Sequence, residues 1–376
     1  MRLLYATTIV YPSTLANRIQ ILKTSAALEG VLANDFLLCG TDIKLDTSFT
    51  NKNIYNFGTK ISKNSLNMGL RYVLKAKREG FTHVFVREEM LLIFIYLFSK
   101  VLYPSLIISY EAHWMYNATK KVINKLFSYV IRHTHFTFTT TLGLKTEIAE
   151  RYSYDFDKII VLPDAVDVES YNVSYDKNLF RQNLNIDADH TVVTYVGTYK
   201  TLGEGKGVDL LVDAFVKLKQ KTDKKIFLQI IGVGEQGSVE LKNVLNNANI
   251  NSSDYNIIGR VDFKDVPYYL QISDVAVMPF PKNHHYENYM SPMKLFEYMA
   301  SRVPIITTDL KSVREILPDE RYCKYVNPDS SYEIEKGILE IINNKPKALD
   351  MANNAYNEVL QYTWKKRSEK IIKTIR

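Results

Sequence analysis

Short apolar runs alternate with amphipathic stretches along almost the whole chain. LLYATTIV (3–10), HVFVRE (83–88), SLIISY (105–110), FTFTTT (136–141) and IIVLPD (159–164) have the length and β-branched content of buried strands. Between them, LANRIQILKTSAALEG (15–30) and LGLKTEIAERY (142–152) show helical periodicity. Ser13 and Thr14 are plausible caps for the first helix, which is expected to end at Gly30. The rhythm restarts after residue 190 with VVTYVG (192–197), IFLQIIG (226–232), YNIIG (255–259), VAVMPF (275–280) and VPIITTD (303–309). This β/α alternation implies a parallel sheet with helices on both faces. Two successive runs predict two Rossmann-like domains, over 1–166 and 167–355. The polar stretch 163–180, punctuated by Pro163, joins them. The basic amphipathic end, 356–376, is expected to pack back on the first domain through Trp364, Ile371 and Ile372.

A chain of 376 residues is too long for one ordinary core, in line with two domains. Its two cysteines, Cys39 and Cys323, support neither a disulfide framework nor a cysteine-rich metal site, and a reducing, cytoplasmic setting is expected. The longest apolar run, 90–110, is broken by Lys100 and Pro104 and reads as a buried helix followed by a buried strand, with no transmembrane segment expected. The N-terminus lacks a small-residue cleavage site and reads as a first strand.

The net charge of +7 asks for an acidic partner. Between Lys60 and Arg78 there are six basic residues and no acid. Arg71, Lys75 and Arg78 fall on one helical face, while Leu66, Leu70, Val73 and Leu74 are expected to face inward. That face is either simply solvated or a patch for an anionic membrane surface. Lys120, Lys121, Lys125 and Arg132 form a second basic cluster. A nucleic-acid partner is not expected, because it accounts for the charge but not for the loops described next.

Ligands of open α/β sheets bind beyond the carboxyl ends of the strands, so a cleft between the two domains is where chemistry is expected. There the strand 192–197 runs into Gly203, Gly205 and Gly207, with Lys206 just before a helix starting near Val208. IIGVGEQG (230–237) and Gly259-Arg260-Val261 are two further strand-end loops. In ENYMSPMKLFEYMA (287–300), Ser291 reads as an N-cap and Pro292 as the first helical residue. Lys294 then adds positive charge where the helix dipole is already positive, a conflict that a bound anion removes. Glu297 can accept hydrogen bonds from vicinal hydroxyls, which favours a nucleotide over bare phosphate. Asp187-Ala188-Asp189 reads as a turn, and no metal is expected.

SPMKLFEYMASRVPIITTD resembles the donor-binding segment of the retaining GT-B glycosyltransferases of the large family 4 type. YVGTYKTLGEGKGVDLLVDAF resembles their glycine-lysine loop, VLPDAVDVESY (161–171) their interdomain segment, and PSTLANRIQILKTSAAL (12–28) their first loop and helix. VFVRE…LIISYEAHWM resembles the stretch that presents a histidine, here His113. The resemblance implies a GT-B fold, two Rossmann-like domains facing each other across a cleft. The first would take the acceptor and the second, 167–355, a UDP- or GDP-type sugar donor. Glu297 would hold the ribose and Lys206 the diphosphate, the N–H groups of Met290 and Ser291 would meet phosphate or sugar, the Gly259–Val261 loop would contact the base, and His113 would lie against the donor sugar.

The implied reaction moves a hexose-type sugar, with retention and without a required metal or other cofactor, onto a glycan or polyprenyl-linked acceptor at the inner face of the cell membrane, in the making of bacterial surface polysaccharide or glycoconjugate. Two positions depart from the family pattern. Tyr289 stands where the first of two acids is usual, with Glu287 two residues upstream. Thr198 stands where an arginine follows the strand glycine, with Lys200 nearby. Tyr289 can still bond a sugar hydroxyl and Lys200 a phosphate. A non-catalytic nucleotide-sugar-binding subunit and a GT-B sugar-nucleotide epimerase are the alternatives.

Overall fold

The computed structural model describes residues 1–13, 16–45, 49–58, 64–201 and 204–376. Thr14, Lys60, Lys63 and Gly203 lie outside them. The chain divides into two compact units, Met1–Asp164 with Asn288–Met290 and Trp364–Arg376, and Ala165–Glu287 with Ser291–Thr363. The division falls at Asp164 and Trp364, against the expected 166 and 356.

The first unit is a seven-stranded parallel sheet. Its strands are β1 (Leu3–Ala6), β2 (Phe36–Gly40), β3 (Ile54–Asn56), β4 (His83–Val86), β5 (Ile107–Ala112), β6 (Phe136–Thr139) and β7 (Ile159–Val161), in the order β3-β2-β1-β4-β5-β6-β7. Side chains alternate across it, so both faces are buried. Leu3, Tyr5, Phe36, Leu38, Phe85 and Phe138 pack on one side against α1 (Ala16–Leu32) and the C-terminal helix Trp364–Ile375, which inserts Ile371, Ile372 and Ile375. Leu4, Ala6, Val84, Val86, Ile108 and Tyr110 pack on the other against α2 (Ser65–Glu79), α3 (Glu89–Leu102), α4 (Lys121–Arg132) and α5 (Leu142–Tyr152). The first helix runs through Gly30 to Leu32. The apolar run 90–110 resolves into α3 and β5, and among the described residues no helix is long and apolar enough to cross a membrane.

On α2 the inward face differs from the expected one. Met68, Gly69, Tyr72, Val73, Lys75 and Ala76 are buried, whereas Leu66 and Leu74 are exposed. Gly69 sets this rotation: a Cβ there would stand 2.5 Å from that of Phe94, so only glycine lets α3 approach so closely. Lys75 is accordingly no surface residue. It is 8% exposed, pairs with Glu79 at 2.7 Å and lies 3.6 Å from the ring centre of Tyr55. The membrane patch expected at Arg71, Lys75 and Arg78 therefore loses its middle member.

The second unit holds six parallel strands, β8 (Thr191–Val196), β9 (Ile226–Ile231), β10 (Tyr255–Ile258), β11 (Val275–Met278), β12 (Ile305–Thr308) and β13 (Lys324–Val326), in the order β10-β9-β8-β11-β12-β13. Its helices include α6 (Lys177–Asn183), α7 (Val208–Lys221), α8 (Glu235–Asn247), α9 (Val266–Gln271), α10 (Met293–Ala300), α11 (Ser331–Asn343) and α12 (Lys345–Val359). Both sheets reverse strand order once, beside β1 and β8. The crevice beyond the carboxyl ends of strands at such a reversal is where this architecture receives ligands.

Candidate functional site

In the second unit the reversal lies between β8 and β11, and the chain leaving β8 folds back over it. Lys200–Thr201 pairs antiparallel with Glu204–Gly205, after which Gly207 opens α7 with φ of 72°. A Cβ on Gly207 would fall 1.8 Å from the carbonyl oxygen of Pro279, the residue after β11. Only glycine lets the loop lie so close to that strand end, and the contact places Lys206 beside the reversal. The Lys206 ammonium sits 5.8 Å from the Phe280 ring centre. Burial, and then the nearby charge of Lys294, push it down to about 8.

Helix α10 begins one residue later than expected. Pro292 is its N-cap, with extended backbone and no side-chain cap bond. Lys294 thus sits in the first turn and reaches Glu297 at 3.0 Å. The conflict between Lys294 and the helix dipole is met inside the protein by Glu297. Lys206 is buried near Lys294 and has no carboxylate partner among the described residues, which leaves the corner short of negative charge. The hydroxyl of Tyr298 anchors α10 to β8 by accepting the Val196 N–H at 2.9 Å.

The remaining nucleotide-binding candidates follow from the same sheet end. Thr198 stands just past β8, where its carbonyl accepts from the Tyr195 hydroxyl, and Lys200 is exposed. Gly259 and Arg260 are exposed just past β10 and Val261 is half-buried. Tyr289 and Met290 belong to the first unit, whereas Ser291, Lys294 and Glu297 belong to the second. The Tyr289 hydroxyl donates to Glu147 at 2.5 Å, so it is already committed within its own unit. Asp189 pairs with Lys225 at 2.5 Å, and Asp187, Asp189 and His190 cluster ahead of the amino end of β8, the far end of the sheet from Lys206.

His113 follows β5 in the first unit, where its Nε2 lies 2.9 Å from Glu111 Oε1. Burial, then the Arg87 charge, push its ring down to about 4. The ring is therefore neutral at pH 7, with Nε2–H directed at Glu111 and Nδ1 an open acceptor. Glu111 is also the partner of Arg367 from the C-terminal helix, which donates further to Thr24 Oγ1 and the Pro163 carbonyl, both at 3.1 Å. The Arg367 charge holds the Glu111 carboxyl well below its usual range against the opposing effect of burial. Arg87, after β4, donates to Gln20, which donates in turn to Asp164. Arg87 and Arg367 were not anticipated as neighbours of His113. The available signal was VREE, a charged cluster directly after a fully apolar strand.

Residues 176–358 match the model of the family described as glycosyl transferases group 1. An uncharacterized glycosyltransferase of Methanocaldococcus jannaschii is 24% identical over 248 residues, covering 65% of this chain and 58% of the relative's own length. Among solved structures, Anabaena HepE in complex with UDP superposes with a TM-score of 0.77 at 16% identity over 100% of this chain and 99% of that one. A glycosyltransferase from Rickettsia africae gives 0.80 at 14% identity, over 100% and 97%. The fold is GT-B, with two Rossmann-like domains.

Removing Arg367 should leave Glu111 buried with only neutral partners, His113 at 2.9 Å and the Tyr5 hydroxyl at 3.4 Å. Arg367→Leu is expected to lower unfolding free energy by about 3–5 kcal/mol in urea titrations and to raise the His113 ring pKa, read by NMR. In the wild-type protein the ring's folded pKa lies below its unfolded value. Its contribution to stability should hold above pH ~6.5 and fade as pH falls through 4. A His113 that titrates near 6.5 in the folded protein would contradict this.

Proposed function

We propose that this chain, a GT-B protein whose residues 176–358 match the glycosyl transferases group 1 model, transfers a sugar from a nucleoside diphosphate donor to an acceptor hydroxyl. The observation that carries the reading is the corner at the β8–β11 reversal, where the Lys206 ammonium is buried near that of Lys294 and only Lys294 is paired, with Glu297. A diphosphate supplies the missing negative charge, and Glu297 keeps one oxygen for a ribose hydroxyl. When the bond between the anomeric carbon and the diphosphate breaks, the departing oxygen gains charge. The two lysines stabilise that charge more in the transition state than in the ground state. The acceptor oxygen takes the vacated position on the same face and its proton passes to the departing phosphate oxygen, so configuration is retained, and no metal is needed to hold the leaving group.

UDP is the donor nucleotide favoured by the likeness to HepE, whose structure holds it. The Gly259-Arg260-Val261 loop is assigned to the base, and Thr198 with Lys200 to the phosphate side. The open Nδ1 of His113 is suited to accept a hydrogen bond from a sugar hydroxyl. The first unit is assigned to a glycan or polyprenyl-linked acceptor. Support for a membrane-side acceptor comes from α3 and α4 rather than α2. Val101, at the carboxyl end of α3, is 79% exposed beside Lys100, and Val122, at the amino end of α4, is 76% exposed beside Lys121 and Lys125. Exposed apolar residues next to lysines are what the interface of an anionic bilayer accommodates.

Calorimetry should show UDP binding to the wild-type protein and a loss of about tenfold or more in Glu297→Ala, which costs a charge-assisted hydrogen bond. Equal UDP affinity in the two proteins would remove Glu297 from the site. In flotation with phosphatidylglycerol vesicles, Val101→Glu/Val122→Glu should leave the membrane fraction while Arg71→Ala/Arg78→Ala stays in it. The reverse pattern would return the patch to α2.

A further inference from the structure

A second cavity lies in the same unit, at the amino ends of its strands. It encloses about 510 Å³, within the roughly 300–1,000 Å³ of small-molecule sites. Thr191 of β8 and Val275 of β11 border it, so it stands at the end of the sheet opposite Lys206. Ile341, Ala348 and Leu349 give it an apolar wall, and Asn172, Gln271 and Ser301 supply neutral polar groups.

Its charges are unbalanced. Lys177, Arg302 and Lys345 line it, and Asp274 is its one acid. Asp274 is already engaged, accepting from Arg181 at 3.0 Å and from the Val192 N–H at 2.8 Å. Among the described residues Lys177 and Lys345 have no ion-pair partner. Lys345 stands in the first turn of α12, where the dipole disfavours a cation unless an anion is near, whereas the start of α6 beside Lys177 is already capped by the Asp176 carboxylate. Arg302 is as unusual. It follows α10 with φ of 55°, a conformation for which glycine or asparagine is the ordinary choice. Its guanidinium lies 3.8 Å from the centre of the Tyr356 ring, which fixes it at the cavity edge.

Helix α10 joins this cavity to the nucleotide corner. Ala300, Ser301 and Arg302 at its carboxyl end line the cavity, and Lys294 and Glu297 occupy its other end. Ser301 Oγ donates to the Glu297 carbonyl at 2.8 Å. A ligand that draws on Ser301 or Arg302 therefore pulls on the backbone that carries Glu297.

We propose that this cavity is an effector site for a small phosphomonoester, whose dianion is held by Lys177, Arg302 and Lys345 while its body lies on Ile341, Ala348 and Leu349, and that occupancy alters nucleotide affinity through α10. The coupling, though not the cavity's own binding, rests on the nucleotide reading above. The phosphomonoester has two natural sources, a phosphorylated sugar and a lipid phosphate, and the test separates them.

Glucose 6-phosphate, geranyl phosphate and inorganic phosphate are titrated calorimetrically into the wild-type protein and into Lys177→Ala/Lys345→Ala. UDP is titrated into each with and without the bound ester. One of the two esters should bind at one equivalent, at least tenfold tighter than inorganic phosphate and at least tenfold weaker in the double variant. UDP should still bind the double variant, and the ester should shift wild-type UDP affinity threefold or more, with a reciprocal effect of UDP on the ester. Binding of neither ester, or equal binding in both proteins, would overturn the site. So would competitive displacement by UDP, since it would locate the ester in the nucleotide corner. An unchanged UDP affinity would overturn the effector role. Failure of UDP to bind at all would count against the nucleotide reading and the coupling, while the ester titrations would still decide the cavity.

Discussion

Two ammonium groups held near one another, only one of them paired with a carboxylate, form the constraint on which the strand-end corner of the second unit depends. Burying Lys206 next to Lys294 is unfavourable by itself and pushes the Lys206 pKa down to about 8. Glu297 pairs with Lys294 at 3.0 Å and leaves Lys206 without a carboxylate of its own. The geometry is enforced from several directions. Gly207 lets the loop lie against Pro279, Tyr298 fastens α10 to β8, and Lys294 is oriented by the first turn of α10. On the proposed reading, a diphosphate enters a corner that is already fixed, which is how electrostatic stabilisation of a leaving group is gained.

The first unit solves a related problem differently. At its strand ends the charges are closed into a network: Arg367 and His113 meet on Glu111, Arg87 meets Gln20, and Gln20 meets Asp164. The network reaches from β5 to the C-terminal helix and ties together segments 256 positions apart. What it leaves free is a neutral imidazole with one open acceptor nitrogen. A neutral acceptor suits a hydroxyl-bearing ligand, whereas the lysine corner suits an anion.

Much of this was legible in the sequence because it is local. The apolar runs marked five strands of each sheet, though not β2, β3 or β13, and lysine before a glycine-opened helix marked the Lys206 loop. What was missed traces to short elements and distant partners. β3, Ile54–Asn56, is three residues long and carries no readable alternation, so Tyr55 had no place. Without Tyr55, Lys75 looked like one of three surface cations instead of a buried ammonium over a ring. Likewise, helical periodicity admits several inward faces for α2, and the choice is made by Gly69 against Phe94, a contact between helices. The start of α10 was misjudged by one residue, since the serine–proline step suits either register until the backbone is seen. Arg367 could not be assigned to Glu111 from spacing at all.

The account rests most directly on Lys206 being a half-neutral lysine that a bound diphosphate recharges. Its folded pKa of about 8 lies below the ordinary lysine value, so near pH 8 about half of the molecules must take up a proton when the anion arrives. Calorimetric titration of UDP at pH 8, in buffers of different ionisation enthalpy, measures that uptake. The expected result is about half a proton per UDP, falling toward zero at pH 6 and absent in Lys206→Gln. Binding heats that do not depend on the buffer at pH 8, or uptake that persists in Lys206→Gln, would contradict the assignment of this corner to the diphosphate.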